Sequence, residues 1–187
     1  MSMAGATGPH MSKRDEDLSL CPIVHSTGLV GDRWSILIVR ELLMGQGRFQ
    51  DLQAQTGATS QLLSARLKRL ELDGLVERHA YSQKPIRYEY QLSAKGFHLL
   101  PVILALRTWG ERWVKPHGVP QAVRMFHAVC GSELDLDGNC QSCGLLAAWT
   151  EMTGKPSEAW LTERRALAVA FAENVKPLAS RPKDPDQ

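Results

Sequence analysis

The chain has 187 residues, 43% hydrophobic and 22% charged, enough for one main core plus a small appendage. Its longest apolar run, Leu99–Leu106, falls far short of the roughly 20 residues of a membrane span, and no charged-then-apolar leader opens the chain. We therefore expect a soluble, cytoplasmic protein with no membrane partner. The net charge of +2 is uneven: residues 21–115 carry 13 Lys/Arg against 8 Asp/Glu, residues 116–187 carry 7 against 9, and residues 1–20 carry 2 against 3. Positive charge gathers mid-chain, which suits an anionic partner.

Residues 1–20 are small and polar, and are expected to form a disordered extension. Cys21-Pro22 then opens a short helical pattern, Ile23 to Val30, with proline in a tolerated first-turn position. Asp32 is a good N-cap for a helix over Arg33–Met44, where Trp34, Leu37, Ile38, Glu41 and Leu42 follow helical spacing and Gly45 is a natural stop. Arg48–Gln55 reads as a third short helix with Phe49 and Leu52 turned inward. Thr59 caps a fourth, running to about Asp73 and stopped by Gly74. Leu63, Leu67 and Leu70 line one face of that helix, and Gln61, Ser64, Ala65 and Lys68 the other.

The texture next changes to period two. "LVERHAY" and "IRYEYQL" are rich in β-branched and aromatic residues, with "SQKP" between them, so a β-hairpin with an exposed lysine at its tip is predicted. Ser93 caps a long helical stretch ending near Lys115, which Pro101 should bend. Pro116, Gly118 and Pro120 mark a boundary. A cysteine-bearing segment, 124–146, follows, then a helix over 157–175 and a frayed end. The expected fold is mainly α with a small β-hairpin, of the α+β class: a winged helix-turn-helix over 21–116, then a Cys/His-bearing extension over 117–187.

That order of elements suits double-stranded DNA. The major groove admits one helix, and short polar side chains read base edges there. Gln61 can pair with adenine, Ala65 can approach a thymine methyl, Ser64 can bond a base or phosphate, and Lys68 is a phosphate or guanine donor. Ser60, Arg66 and Arg69 flank the same face, where phosphate contacts hold the register. Lys84 at the hairpin tip, with Arg87 behind it, can reach the adjacent backbone or minor groove. A polar helix face taken alone is more often plain solvated surface; the basic-tipped hairpin directly after it is what favours DNA.

The stretch "CPIVHSTGLVGDRWSILIVRELLMGQGRFQDLQAQTG", continuing through "LLSARLKRLELDGLVERHAYSQKPIRYEYQLSAKG" to "LRTWGERW", resembles the HxlR-type winged-helix transcription regulators. The likeness runs almost continuously over residues 21–113 and includes the Cys-Pro start, Gly-Asp-Arg-Trp, the Leu-Ser-x-Arg-Leu core, Asp-Gly-Leu-Val and the Tyr-Glu-Tyr strand. It implies a homodimeric bacterial regulator on a pseudo-palindromic operator, with an effector that the sequence does not identify. Residues after about 120 lie outside the family's common part.

The four cysteines divide into two features. A thiolate at Cys21, just before the Pro22 helix, is favoured by the unpaired amides there, and the matching cysteine of several HxlR-type relatives senses oxidants or electrophiles. The resemblance thus suggests a redox sensor, against the plainer reading of a buried small apolar residue. The other three follow His127 in the spacing His-x2-Cys-x9-Cys-x2-Cys: His127, Cys130, Cys140 and Cys143. Each half ends in glycine, the shape of a zinc knuckle, and four ligands make a closed structural site for one zinc ion. The alternatives are coincidence or a disulfide, the latter disfavoured in a cytosolic chain.

Three functions compete. A DNA-binding transcription regulator leads. A zinc-ribbon and winged-helix module binding protein without DNA is the alternative. A zinc hydrolase would need an open metal position and a general base; the cluster offers neither, so no enzyme is expected.

Overall fold

A computed structural model describes residues 19–175. The expected extension over 1–20 lies outside them except for Ser19 and Leu20, as does the end of the chain beyond Val175. The elements in order are helices α1 (Pro22–Val30), α2 (Arg33–Leu43), α3 (Phe49–Thr56) and α4 (Ser60–Leu72), strands β1 (Val76–Gln83) and β2 (Ile86–Leu92), and helices α5 (Ala94–Phe97) and α6 (Leu100–Trp113). Then come β3 (Val123–His127), β4 (Asn139–Cys140), β5 (Leu145–Leu146), a 3-10 turn (Trp149–Glu151), β6 (Met152–Pro156) and α7 (Glu158–Val175). No helix among the described residues is long and apolar enough to cross a membrane.

The caps act as the sequence predicts. Asp32 accepts hydrogen bonds from the Trp34 and Ser35 amides at 3.0 and 3.1 Å, and Thr59 accepts from the Leu62 amide at 3.3 Å, which satisfies amides that a helix start leaves open. Gly57 closes α3 in the left-handed conformation, φ 70°. Inside, Ile38, Leu52, Leu63, Leu67, Leu70 and Val76 form a core essentially sealed from solvent. β1 and β2 pair antiparallel, Val76 opposite Leu92, with a bulge at Tyr81. Gly47 ties this hairpin to the α2–α3 loop: its carbonyl accepts from the Tyr90 amide at 2.8 Å. A Cβ there would lie 2.2 Å from the Tyr90 carbonyl oxygen, so only glycine allows that approach.

Two expectations need correction. The helix predicted from Ser93 to Lys115 is not bent at Pro101 but broken: α5 ends at Phe97 and α6 starts at Leu100. Proline lacks an amide hydrogen and its ring clashes with the carbonyl four residues back, here that of Phe97, so it starts a helix more readily than it continues one. The segment after Pro116 also holds strands that the sequence reading left unassigned. β3 pairs antiparallel with β6 and β4 with β5. Met125, Leu134, Cys140 and Ala147 form a second small core there, with Leu104 of α6 against it.

Candidate nucleic-acid interface and metal centre

The face of α4 opposite its leucines is open. Ser60, Gln61, Ser64, Ala65, Lys68 and Arg69 are exposed and Arg66 half-buried, whereas Leu63, Leu67 and Leu70 are at most 1% exposed. The Gln61, Ser64 and Lys68 side chains make no hydrogen bond among the described residues. Arg66 Nε lies 3.4 Å from Asp32 and Arg69 Nε 2.8 Å from Asp73; these pairs orient the two guanidiniums along the helix flank. Ser60 accepts from Gln53 of α3 at 2.9 Å, which links the two helices.

Lys84 stands exposed in the turn between β1 and β2, with Arg87 exposed beside it. Two further cations that the sequence reading missed flank this hairpin. Arg78 lies over the Tyr88 ring at 4.4 Å and Arg48 over the Tyr81 ring at 5.1 Å. Arg48, Gln50, Arg87 and Tyr88 also line one groove between the start of α3 and the hairpin. Period-two spacing on the strands gives only faces, not these diagonal and cross-element contacts.

His127, Cys130, Cys140 and Cys143, the sequence-predicted metal ligands, come together with their ligand atoms all within 4.8 Å of one another. Cys130 Sγ is 3.5 Å from Cys140 Sγ and 3.5 Å from His127 Nδ1. Tetrahedral zinc with bonds of about 2.3 Å to sulfur and 2.0–2.1 Å to nitrogen puts such atoms about 3.5–3.8 Å apart, so the donor set fits that ion. The turns fit as well: the Gly131 amide bonds the His127 carbonyl and the Gly144 amide the Cys140 carbonyl, each at 2.8 Å. Both glycines have positive φ, 73° and 67°, which folds each ligand pair toward one point. His127 Nε2 faces Glu151 at 3.7 Å, leaving Nδ1 toward the sulfurs, the arrangement of carboxylate–histidine support. The Ser132 hydroxyl and amide hold the Cys130 thiol down at about 6. Hydrogen bonding to Cys130 and Cys140 pushes the Cys143 thiol up to about 11. Cys21, the fourth cysteine, is exposed at the N-cap of α1 and separate from this cluster.

Residues 29–118 match the family described as HxlR-like helix-turn-helix. HTH-type transcriptional regulators of Mycobacterium bovis (Mb3122) and Mycobacterium tuberculosis (Rv3095), both themselves uncharacterized, are each 36% identical over 129 residues, 68% of this chain and 80% of theirs. The chain belongs to the HxlR-like family. Another relative, the HTH-type transcriptional regulator sll1512 of Synechocystis, is 40% identical over 97 residues, 51% of this chain and 72% of its own. The crystal structure of PA1607, described as a candidate transcription factor, is 27% identical, with a TM-score of 0.59 over 76% of this chain and 98% of that one. The protein is thus a helix-turn-helix transcription regulator of the HxlR-like family, and the protein-binding module without DNA is not favoured.

Proposed function

We propose that this regulator reads a specific operator in double-stranded DNA by inserting α4 into the major groove, with the hairpin tip on the neighbouring backbone. The observation that carries the reading is the open polar face of α4, Gln61, Ser64, Ala65 and Lys68, set on a helix whose other face is fully buried. The test is binding to a duplex selected from random sequence, measured across salt. Changing Gln61 or Ser64 to alanine relaxes specificity by about 1–3 kcal/mol per lost base contact. Lys84→Ala weakens binding to all sequences and lowers the salt slope by about one unit. An unchanged salt slope would remove the hairpin from the interface.

The same reading includes a homodimer on a pseudo-palindromic site and one structural zinc held by His127, Cys130, Cys140 and Cys143. With four protein ligands the ion has no open position, so its contribution is folding free energy. It also includes a redox or electrophile response at Cys21. Support is its exposure ahead of the α1 amides, where a thiolate is favoured. Oxidant should change operator affinity in the wild-type protein and not in Cys21→Ser; equal responses would place the sensor elsewhere.

A further inference from the structure

Between the inward side of α6, the end of α2, the β3–β6 pair and the start of α7 lies a cavity of about 640 Å3, within the range that small organic ligands occupy. Most of its wall is apolar: Leu43, Met44, Leu100, Ile103, Leu104 and Trp160. It is distinct from the α4 face and from the metal cluster.

The charges on this wall do not balance. Arg107 of α6 donates through Nε and Nη2 to the Val123 carbonyl at 3.2 and 2.6 Å, and through Nη2 to Gln121 Oε1 at 3.0 Å. Both acceptors are neutral. Among the described residues no carboxylate forms an ion pair with Arg107, and its Nη1 has no hydrogen bond. Glu111, one turn on, is held instead by Lys115, at 2.9 Å to each carboxylate oxygen. Arg40, at the α2 end of the cavity, shares the single carboxylate of Glu41 with Arg164. Among the residues that line the cavity the cations are thus two, Arg40 and Arg107, and the acid is one, Glu111. Burial pushes the Arg107 guanidinium down, and Glu111 offsets this in part, as expected of a cation left short of counter-charge.

We propose that this cavity binds a small amphipathic organic anion, its acidic group on Arg107 and its apolar body against Ile103, Leu104 and Trp160. A guanidinium presents further N–H donors in a fork that matches a carboxylate or sulfonate, and the apolar wall supplies the rest of the contact. The site stands independently of operator binding.

The test titrates the full-length protein with 1-anilinonaphthalene-8-sulfonate, an aromatic anion that fluoresces in apolar surroundings, and with N-phenyl-1-naphthylamine, a neutral molecule of the same ring body. Both should bind saturably, the anion more tightly. Arg107→Gln should weaken the anion by about tenfold and leave the neutral probe unchanged, while Arg107→Lys keeps part of the preference. Ala122→Phe, which fills the cavity from the β3 side, should remove both probes. Undiminished anion binding by Arg107→Gln overturns the proposal, as does retention of both probes by Ala122→Phe, which would place them on the exposed side of α6. Loss of both probes in Arg107→Gln would make Arg107 a strut of the wall, and also overturns it. If Ala122→Phe does not fold, the two probes on Arg107→Gln still decide.

Discussion

Asp32 serves three partners at the mouth of α2. Its Oδ1 caps the helix through the Trp34 and Ser35 amides, its Oδ2 takes the Ser35 hydroxyl at 2.5 Å, and Arg66 of α4 approaches from outside at 3.4 Å. Burial pushes its carboxyl up. The hydrogen bonds from Ser35, the Arg66 charge and the Trp34 amide outweigh that and hold it below the usual carboxylate range. A carboxyl depressed in the folded state contributes stability that is present above its unfolded pKa, about 4, and is lost as pH falls through the lower folded value. Asp32→Ala should therefore cost about 1 kcal/mol at neutral pH, and the difference from wild type should shrink in acid. Urea midpoints of the two proteins at pH 7 and near pH 3 measure it; a difference that stays constant between them would mean that the cap does not act through its charge.

At the scale of elements, α6 buries none of its residues completely. Its inner side meets the cavity wall through Leu100, Ile103 and Leu104. Val102, Leu106, Trp109 and Trp113, spaced three and four apart, stand 45%, 46%, 59% and 72% exposed. The extension reaches α6 through the Thr108–Leu136 and Arg112–Asp137 bonds, and leaves that row open. An unpaired apolar stripe of this kind suits a second copy of the chain. Sedimentation of the full chain should show a dimer, and Trp109→Glu with Trp113→Glu a folded monomer. A dimer that survives both charges would place the seam elsewhere.

The elements also differ in how legible they were. Helices α1 to α4 announce themselves through caps, glycine stops and an apolar period set by residues such as Leu63, Leu67 and Leu70, all local signals. The hairpin was equally plain. The broken α5–α6 stretch was not, because apolar spacing continues straight through Pro101 and only the backbone clash decides between a bend and a break. Strands β4 and β5 were missed for another reason: they are two residues each, too short for a period, and the turn at Gly144 brings them together. The ligand quartet itself was readable from spacing, while Glu151 behind His127 was not, since 24 residues separate them in the chain and only the β3–β6 register makes them neighbours.

On the scale of the whole molecule the described residues form two cores, one in the winged helix and one around the Cys/His turns, with Leu99, the residue that caps α6, packed on the first and Leu104 of α6 on the second. The second core is small, with Met125, Leu134, Cys140 and Ala147 as its buried residues, and needs another source of order. Native mass spectrometry of chelator-free protein under reducing conditions should show the mass of one zinc ion above the polypeptide. Cys140→Ser should lose it and Cys21→Ser keep it. Chelation should speed amide exchange over 123–156 and leave α2 and α4 protected. A bare polypeptide mass would remove the metal, and a mass two protons lighter without reductant would substitute a disulfide.

One contact changes how the chain can be taken apart. Glu41 lies at 0% exposure within the winged helix, yet Arg164, 123 residues further on, supplies two of its hydrogen bonds, at 3.0 and 2.5 Å. Gln55 of α3 holds the Arg164 carbonyl at 3.0 Å as well. A chain cut after Pro116 would keep every helix-turn-helix residue and lose this clamp, leaving Glu41 with Arg40 as its remaining cation partner among the described residues. The DNA-reading part of this protein is therefore not a cassette. A chimera that borrows it from this chain must carry α7 along or replace Glu41 with a neutral residue.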